Sequence, residues 1–184
     1  MCPTPNYREV IIDAAEAVVI GVGAAHMTLD AVASKAGISK GGLLYHFPSK
    51  EKLLQAMLDR HMQRLEKARK KKYEELQDEP ARAIKAYVLS ALARDHKMER
   101  ISAALLAAVA HDPRLLEPVR KDYQKHMAEF TSSGLRFERA AVIALATDGL
   151  RLLEILFLSP PIKDKQRKHV IEEMLRLAKD KEEF

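Results

Sequence analysis

Ser39-Lys40-Gly41-Gly42-Leu43-Leu44-Tyr45-His46-Phe47-Pro48-Ser49-Lys50-Glu51 is the stretch on which the reading of this chain turns. Wound as a helix from Lys40, it places Leu43, Leu44 and Phe47 on one side and Gly41, Gly42, Tyr45 and His46 on the other. The second side is oddly equipped for water alone. Each glycine inside a helix costs about 1 kcal/mol relative to alanine. What glycine offers in return is close approach of another surface to the backbone. The phenol and the imidazole beside the glycines supply hydrogen-bonding groups for that surface.

The preceding residues frame this helix. In Thr28-Leu29-Asp30-Ala31-Val32-Ala33-Ser34-Lys35-Ala36 the apolar positions 29, 32, 33 and 36 follow helical spacing. The Thr28 hydroxyl suits the N-cap. Gly37 follows the last periodic residue, where a left-handed C-terminal residue is common. Ile38 then turns inward and Ser39 caps the next helix. A helix, a turn of about three residues and a second short helix make the spacing of a helix-turn-helix, whose second helix enters the DNA major groove.

Thr28, Ala33, Ala36-Gly37-Ile38-Ser39-Lys40-Gly41, Leu43, Tyr45-His46-Phe47 and Ser49-Lys50-Glu51, with the helix before them, resemble the DNA-binding domain of the TetR family of bacterial transcriptional regulators. The run into Phe-Pro-Ser-Lys-Glu is its most specific part. Beyond residue 51 only the number and length of helices agree. Leu44 stands where many members carry a second aromatic, and Gly42 where many carry a small polar residue. Both departures bear on which operator is read. The resemblance implies DNA contacts from Thr28, Ser39, Lys40, Tyr45, His46 and Lys50, with the backbone approached at Gly41 and Gly42. It also implies a helical second domain with a pocket for a small inducer, and a homodimer formed by the last two helices, about 137–158 and 164–181.

Charge agrees with a nucleic-acid partner. The chain has 184 residues and a net charge of +5, and residues 1–72 alone hold 12 Lys+Arg against 7 Asp+Glu. The remaining residues are neutral in sum, so the whole positive excess lies around the motif. Such charge supplies most non-specific DNA affinity. The run Lys67-Ala68-Arg69-Lys70-Lys71-Lys72 reads as a solvated helix stretch.

The rest reads as helices from end to end, all-α with about nine in total. Val10, Ile11, Ala14, Ala17 and Val18 mark a first helix from Tyr7 to about Gly21. Ser49 caps a long helix from Lys50 toward Gln77. Pro80 sits in the first turn of a helix running to about Arg94. Lys97–Ala110, about Glu117–Thr131, Phe137–Leu158 and Asp164 to about Lys181 complete the set, with breaks at Asp112-Pro113, Ser132-Ser133-Gly134 and Ser159-Pro160-Pro161. The expected domains are 1–50, binding DNA, and 51–184, binding ligand and partner. The helix at 137–158 is apolar nearly all round, which fits a central position or a face covered by a second copy. Its Asp148, Arg151 and Glu154 argue against a bilayer, so no membrane association is expected. One cysteine, Cys2, and no visible secretory signal fit a reducing cytoplasm.

No catalytic constellation stands out, and no enzyme is expected. The seven histidines form no His-x-x-x-His pair, there is no cysteine pair, and no phosphate-binding glycine loop occurs. Neither a metal nor a cofactor is therefore expected. The ionised Asp148 and Arg151 on so apolar a helix need partners. They form a mutual pair at a dimer seam or face a pocket. Tyr87, His96, Met98, His111, Tyr123, Met127 and Phe130 are the further candidate ligand contacts. The expected function is a repressor that binds a palindromic operator as a dimer and is released by an inducer. The alternative is a helical dimeric adaptor that acts through a protein partner without DNA.

Overall fold

The computed structural model of the chain describes residues 6–156, 158 and 163–179, the side chain of His111 excepted. Among these residues lie nine α-helices and no strand: α1 (Tyr7–Val22), α2 (Leu29–Ala36), α3 (Lys40–His46), α4 (Lys50–Glu75), α5 (Arg82–Ala91), α6 (His96–His111), α7 (Glu117–Ser132), α8 (Phe137–Ile155) and α9 (Asp164–Leu177). A short 3-10 segment, Pro113–Leu116, leads into α7. Its N-cap is Asp112, whose carboxylate accepts from the Arg114 amide at 3.1 Å. Pro118 stands in the first turn of α7, where a missing amide costs nothing.

Packing forms two compact units. One comprises the chain up to Met62 together with His96–Glu117; the other comprises Gln63–Asp95 and the chain from Pro118. This partition differs from a division at residue 50, because α6 packs on α1 and joins the first unit. The Arg100 guanidinium donates to the Ile20 carbonyl at 2.7 Å across that contact. The helix α4 runs through the partition without a break.

In the first unit, Ile11, Ala15, Val32, Leu43, Phe47, Leu53, Met57 and Ile101 form the buried core. Each large apolar chain buried there contributes roughly 1.5–3 kcal/mol. One charged group is enclosed with them. Arg60 on α4 donates through Nε to Glu16 at 3.0 Å, and through one terminal nitrogen to Glu9 at 3.1 Å and to Asp13 at 2.7 Å. Glu16 is 2% exposed. Three carboxylates spaced along α1 thus fasten α1 to α4; Glu9 and Asp13 are exposed, and only the Glu16–Arg60 pair is buried, so that removing one of those two costs roughly 3–5 kcal/mol.

In the second unit, α5 packs against α8 and α9. Ile84, Val88, Leu92, Phe130, Ala140, Ile143, Leu150 and Met174 make its core. Arg167 of α9 clasps Glu154 of α8 at 2.5 and 3.1 Å and donates to the Leu92 carbonyl at 2.8 Å. The helix α5 begins at Arg82, two residues after Pro80, and is preceded by Ala81 with φ 52°. The helix α8 ends at Ile155, short of the expected Leu158. The expected stop at Ser159-Pro160-Pro161, the end of the last helix at Lys181, and Cys2 lie outside the described residues.

Candidate nucleic-acid interface and the polar cluster of the second unit

The turn between α2 and α3 is built by local chemistry. The Thr28 hydroxyl accepts from the Ala31 amide at 3.1 Å, and Gly37 ends α2 in the left-handed region with φ 68°. The Ser39 hydroxyl accepts from the Gly42 amide at 3.1 Å, and the Ser49 hydroxyl from the Lys52 amide at 3.3 Å. Three consecutive helices therefore start on a side-chain cap, and each cap contributes about 1 kcal/mol. Leu43 and Phe47 seat α3 on the core. Leu44, placed by spacing on the apolar side, is instead partly exposed.

The other side of α3 faces outward. Tyr45 is 85% exposed. His46 stacks on the ring of Tyr7 with centroids 6.3 Å apart and meets the edge of Tyr45 at 5.2 Å. Sequence reasoning misses Tyr7, from the start of α1, because nothing local links residue 7 to residue 46. The Lys40 ammonium pairs with Asp30 at 2.9 Å, both side chains exposed. The Lys50 ammonium donates to the Ala25 carbonyl at 3.4 Å. A Cβ at Gly41 or Gly42 would meet only ordinary contacts, the nearest being the Ser39 hydroxyl at 3.9 and 3.4 Å. Neither glycine has a positive φ. The fold itself therefore does not require glycine at either position.

In the second unit, a polar cluster joins several of the expected ligand contacts. The Tyr87 hydroxyl donates to the Asp148 carboxylate at 2.5 Å. Tyr87 meets Phe130 edge-on at 5.4 Å, and Met127 packs on the same core. Burial pushes the Asp148 carboxyl above the usual carboxylate range, against the lowering effect of the Tyr87 hydrogen bond and of Arg151. Burial, aided by the Asp148 charge, likewise pushes the Tyr87 phenol and, less strongly, the Tyr123 phenol upward. His96 and Met98 belong to the first unit, where the His96 side chain is exposed and pairs with Glu99 at 3.1 Å. The side chain of His111 lies outside the described residues.

The structure adds His126, which spacing alone does not single out. Its ring stacks on Phe130 at 6.1 Å and lies edge-on to Tyr87 at 5.6 Å. It also revises the basic run of α4: Arg69 is buried, bonded to Glu66 at 2.9 Å and to Glu129 at 2.9 Å. Arg69 in turn holds the Glu66 carboxyl down at about 2.

Residues 11–57 match the family described as bacterial regulatory proteins, tetR family, and residues 81–179 match the tetracyclin repressor-like C-terminal domain. The chain belongs to the TetR family. Two curated relatives of this TetR-family chain align with it over 51 residues at 45% identity. One is the HTH-type transcriptional regulator SrpR of Pseudomonas putida, and the other is the uncharacterized HTH-type transcriptional regulator TtgW, also of Pseudomonas putida. The aligned segment is 28% of this chain, 24% of SrpR and 38% of TtgW. Among solved structures, a transcriptional regulator from Rhodococcus sp. Rha1 superposes with a TM-score of 0.74 at 25% identity, covering 93% of this chain and 95% of that one. The multidrug binding protein EbrR, solved with malachite green, superposes with a TM-score of 0.70 at 22% identity, covering 94% and 98%. The likeness to EbrR is one of fold. No helix among the described residues is long and apolar enough to cross a membrane.

Proposed function

We propose that this TetR-family chain is a cytoplasmic transcriptional repressor that binds a palindromic operator as a homodimer and is released by a small-molecule inducer. The single observation that carries the reading is the outward side of α3, where two glycines the fold does not need lie beside an 85% exposed tyrosine. On DNA, Tyr45, His46, Lys40 and Thr28 contact phosphates or bases, and the Ser39 turn and the two glycines let the backbone approach. Lys50, released from Ala25, adds a phosphate contact. Residues 1–50 are the DNA-binding part and 51–184 the ligand-binding and dimerising part.

Dimerisation rests on α8 and α9. Val142, Leu145 and Leu152 are exposed along one stripe of α8, continued by its C-cap Leu156, with Gly149 between them and nothing within 4 Å of where its Cβ would stand. A 3- and 4-residue spacing of apolar side chains about a glycine suits close packing on a second copy of α8. Val170 extends the apolar surface on α9. A dimer also satisfies the arithmetic of recognition, since one seven-residue helix reads few base pairs and two half-sites lie on the order of 34–36 Å apart.

The inducer site rests on Tyr87, Tyr123, Met127, Phe130, Asp148 and Arg151, a half-buried carboxylate beside aromatic rings. EbrR, with the same fold, was solved with imidazole and with malachite green, which is in keeping with an aromatic nitrogenous ligand here. Ligand binding shifts α4 and changes the separation of the two α3 helices. The coupling is reciprocal, so operator DNA weakens inducer binding by the same factor.

Selection of bound DNA from a random library tests the reading. The expected product is a palindrome with half-sites one helical turn apart, bound at least about tenfold more weakly by Tyr45→Ala, whose dimer and melting transition are unchanged. A library that yields no enriched sequence, or a Tyr45→Ala isotherm equal to that of the natural chain, overturns it.

A further inference from the structure

Glu66 of α4 and Asp122 and His126 of α7 each offer one ligand atom, and these three atoms lie within 4.8 Å of one another. The His126 Nε2 is 3.5 Å from a Glu66 oxygen and 3.7 Å from an Asp122 oxygen. His126 is 7% exposed, and its buried Nε2 has no hydrogen-bond partner. A buried imidazole nitrogen aimed at two carboxylates needs an explanation. Both carboxylates stand at ion-pair rather than hydrogen-bond distance from Nε2. With the proton on Nδ1, its lone pair faces two anions, a repulsive arrangement that a cation between them relieves.

We infer that Glu66, Asp122 and His126 form a binding site for a divalent transition-metal ion of the zinc class, bridging α4 and α7. Donors bound to zinc at about 2.0–2.2 Å in a tetrahedron stand roughly 3.3–3.6 Å apart. The two separations from Nε2 are close to that edge, and the carboxylates, whose ligand atoms lie within 4.8 Å of each other, complete it by side-chain rotation. One imidazole and two carboxylates leave the fourth position open to water or to a ligand atom. Asp122 and His126, four residues apart on α7, share one helix face. The rings of Phe130 and Tyr87 hold the imidazole plane.

The neighbours set the affinity. Arg69 binds both oxygens of Glu66 at 2.9 Å, and the Lys125 ammonium is 3.6 Å from it. Each carboxylate oxygen has a second lone pair, so the Arg69 bonds do not exclude an ion. Lys125 is largely exposed and free to swing outward. With Asp122 and Glu129 counted, three carboxylates stand beside the two cations Arg69 and Lys125. One net negative charge remains to attract the ion. The expectation of no metal site rests on the lack of paired histidines or cysteines, and an aspartate four residues before a histidine escapes that test.

The experiment uses the untagged full chain, stripped with a chelator and titrated with Co2+ and then Zn2+. The expected result is visible absorption of four-coordinate Co2+, saturating at one ion per chain and abolished by Zn2+. His126→Ala and Asp122→Asn should each weaken binding by more than the roughly 10- to 100-fold that outer-shell changes cause. Arg69→Met, which removes the competing guanidinium, should tighten it severalfold. Melting of the metal-free variants by circular dichroism establishes that they are folded. The inference is overturned by the absence of such absorption in the natural chain, or by Co2+ binding that persists unchanged in folded His126→Ala. No DNA enters the measurement, so its outcome is separate from that of the operator selection.

Discussion

Gly42 is the residue at which folding and recognition pull apart. A Cβ there stands 3.4 Å from the Ser39 hydroxyl, an ordinary contact. Gly42→Ala should therefore raise stability by up to about 1 kcal/mol, seen as a higher Tm, while a gel shift shows weaker operator binding. A variant that is more stable and binds as before would detach the glycines from DNA. Asp148 carries a similar tension in the second unit. Its folded carboxyl holds its proton more tightly than the ordinary 3.8, because burial disfavours the charge. Such a group stabilises the fold below 3.8, and that contribution is lost as pH rises through the raised value. Asp148→Asn, still able to accept from Tyr87, should melt higher than the natural chain at pH 7, the difference vanishing below about pH 3.8. Were the difference instead largest in acid, the assignment of burial as the dominant effect would fail.

At the scale of elements, what the sequence makes legible is what is settled within one turn. Thr28, Gly37, Ser39 and Ser49 mark helix ends because their hydrogen bonds reach only three or four residues along the chain. The 3-10 segment Pro113–Leu116 is hidden because a proline break marks where a helix stops and leaves the next conformation open. Arg69 and His126 are hidden for another reason. Their burial depends on partners 60 residues away, Glu129 and Glu66, and no periodicity encodes those. His96 illustrates the converse, a polar aromatic residue on a helix start that points to solvent. The stripe on α8 is legible in the sequence as excess apolarity but not as a face; the structure makes it one, with Leu145 65% exposed while Ile143 and Ala144 beside it are buried. Leu145→Lys should convert the dimer to a monomer of about half the mass in sedimentation, with its helical circular dichroism retained. A variant that still sediments as a dimer would move the interface elsewhere.

For the whole molecule, the unequal distribution of charge sets how it meets DNA. The net +5 sits within residues 1–72, which hold the proposed DNA-reading helix, and the remainder is neutral in sum. Log affinity for the operator should fall linearly with log salt, steeply enough that several phosphate contacts per dimer are implied. Lys50→Ala should make that slope shallower by about two, one contact per protomer. A slope the same in both proteins would mean that Lys50 keeps its bond to the Ala25 carbonyl on DNA.

The brevity of α3 has a consequence of its own. Seven residues with two glycines fall far below the roughly 12–15 needed for a helix to persist in water, so α3 exists by virtue of the Ser39 cap and the buried Leu43 and Phe47. Local opening of so short a helix costs less than global unfolding. Amide hydrogens of Leu44–His46 should thus exchange with solvent quickly in the free protein and slowly on the operator. DNA seated on this helix then suppresses its local opening.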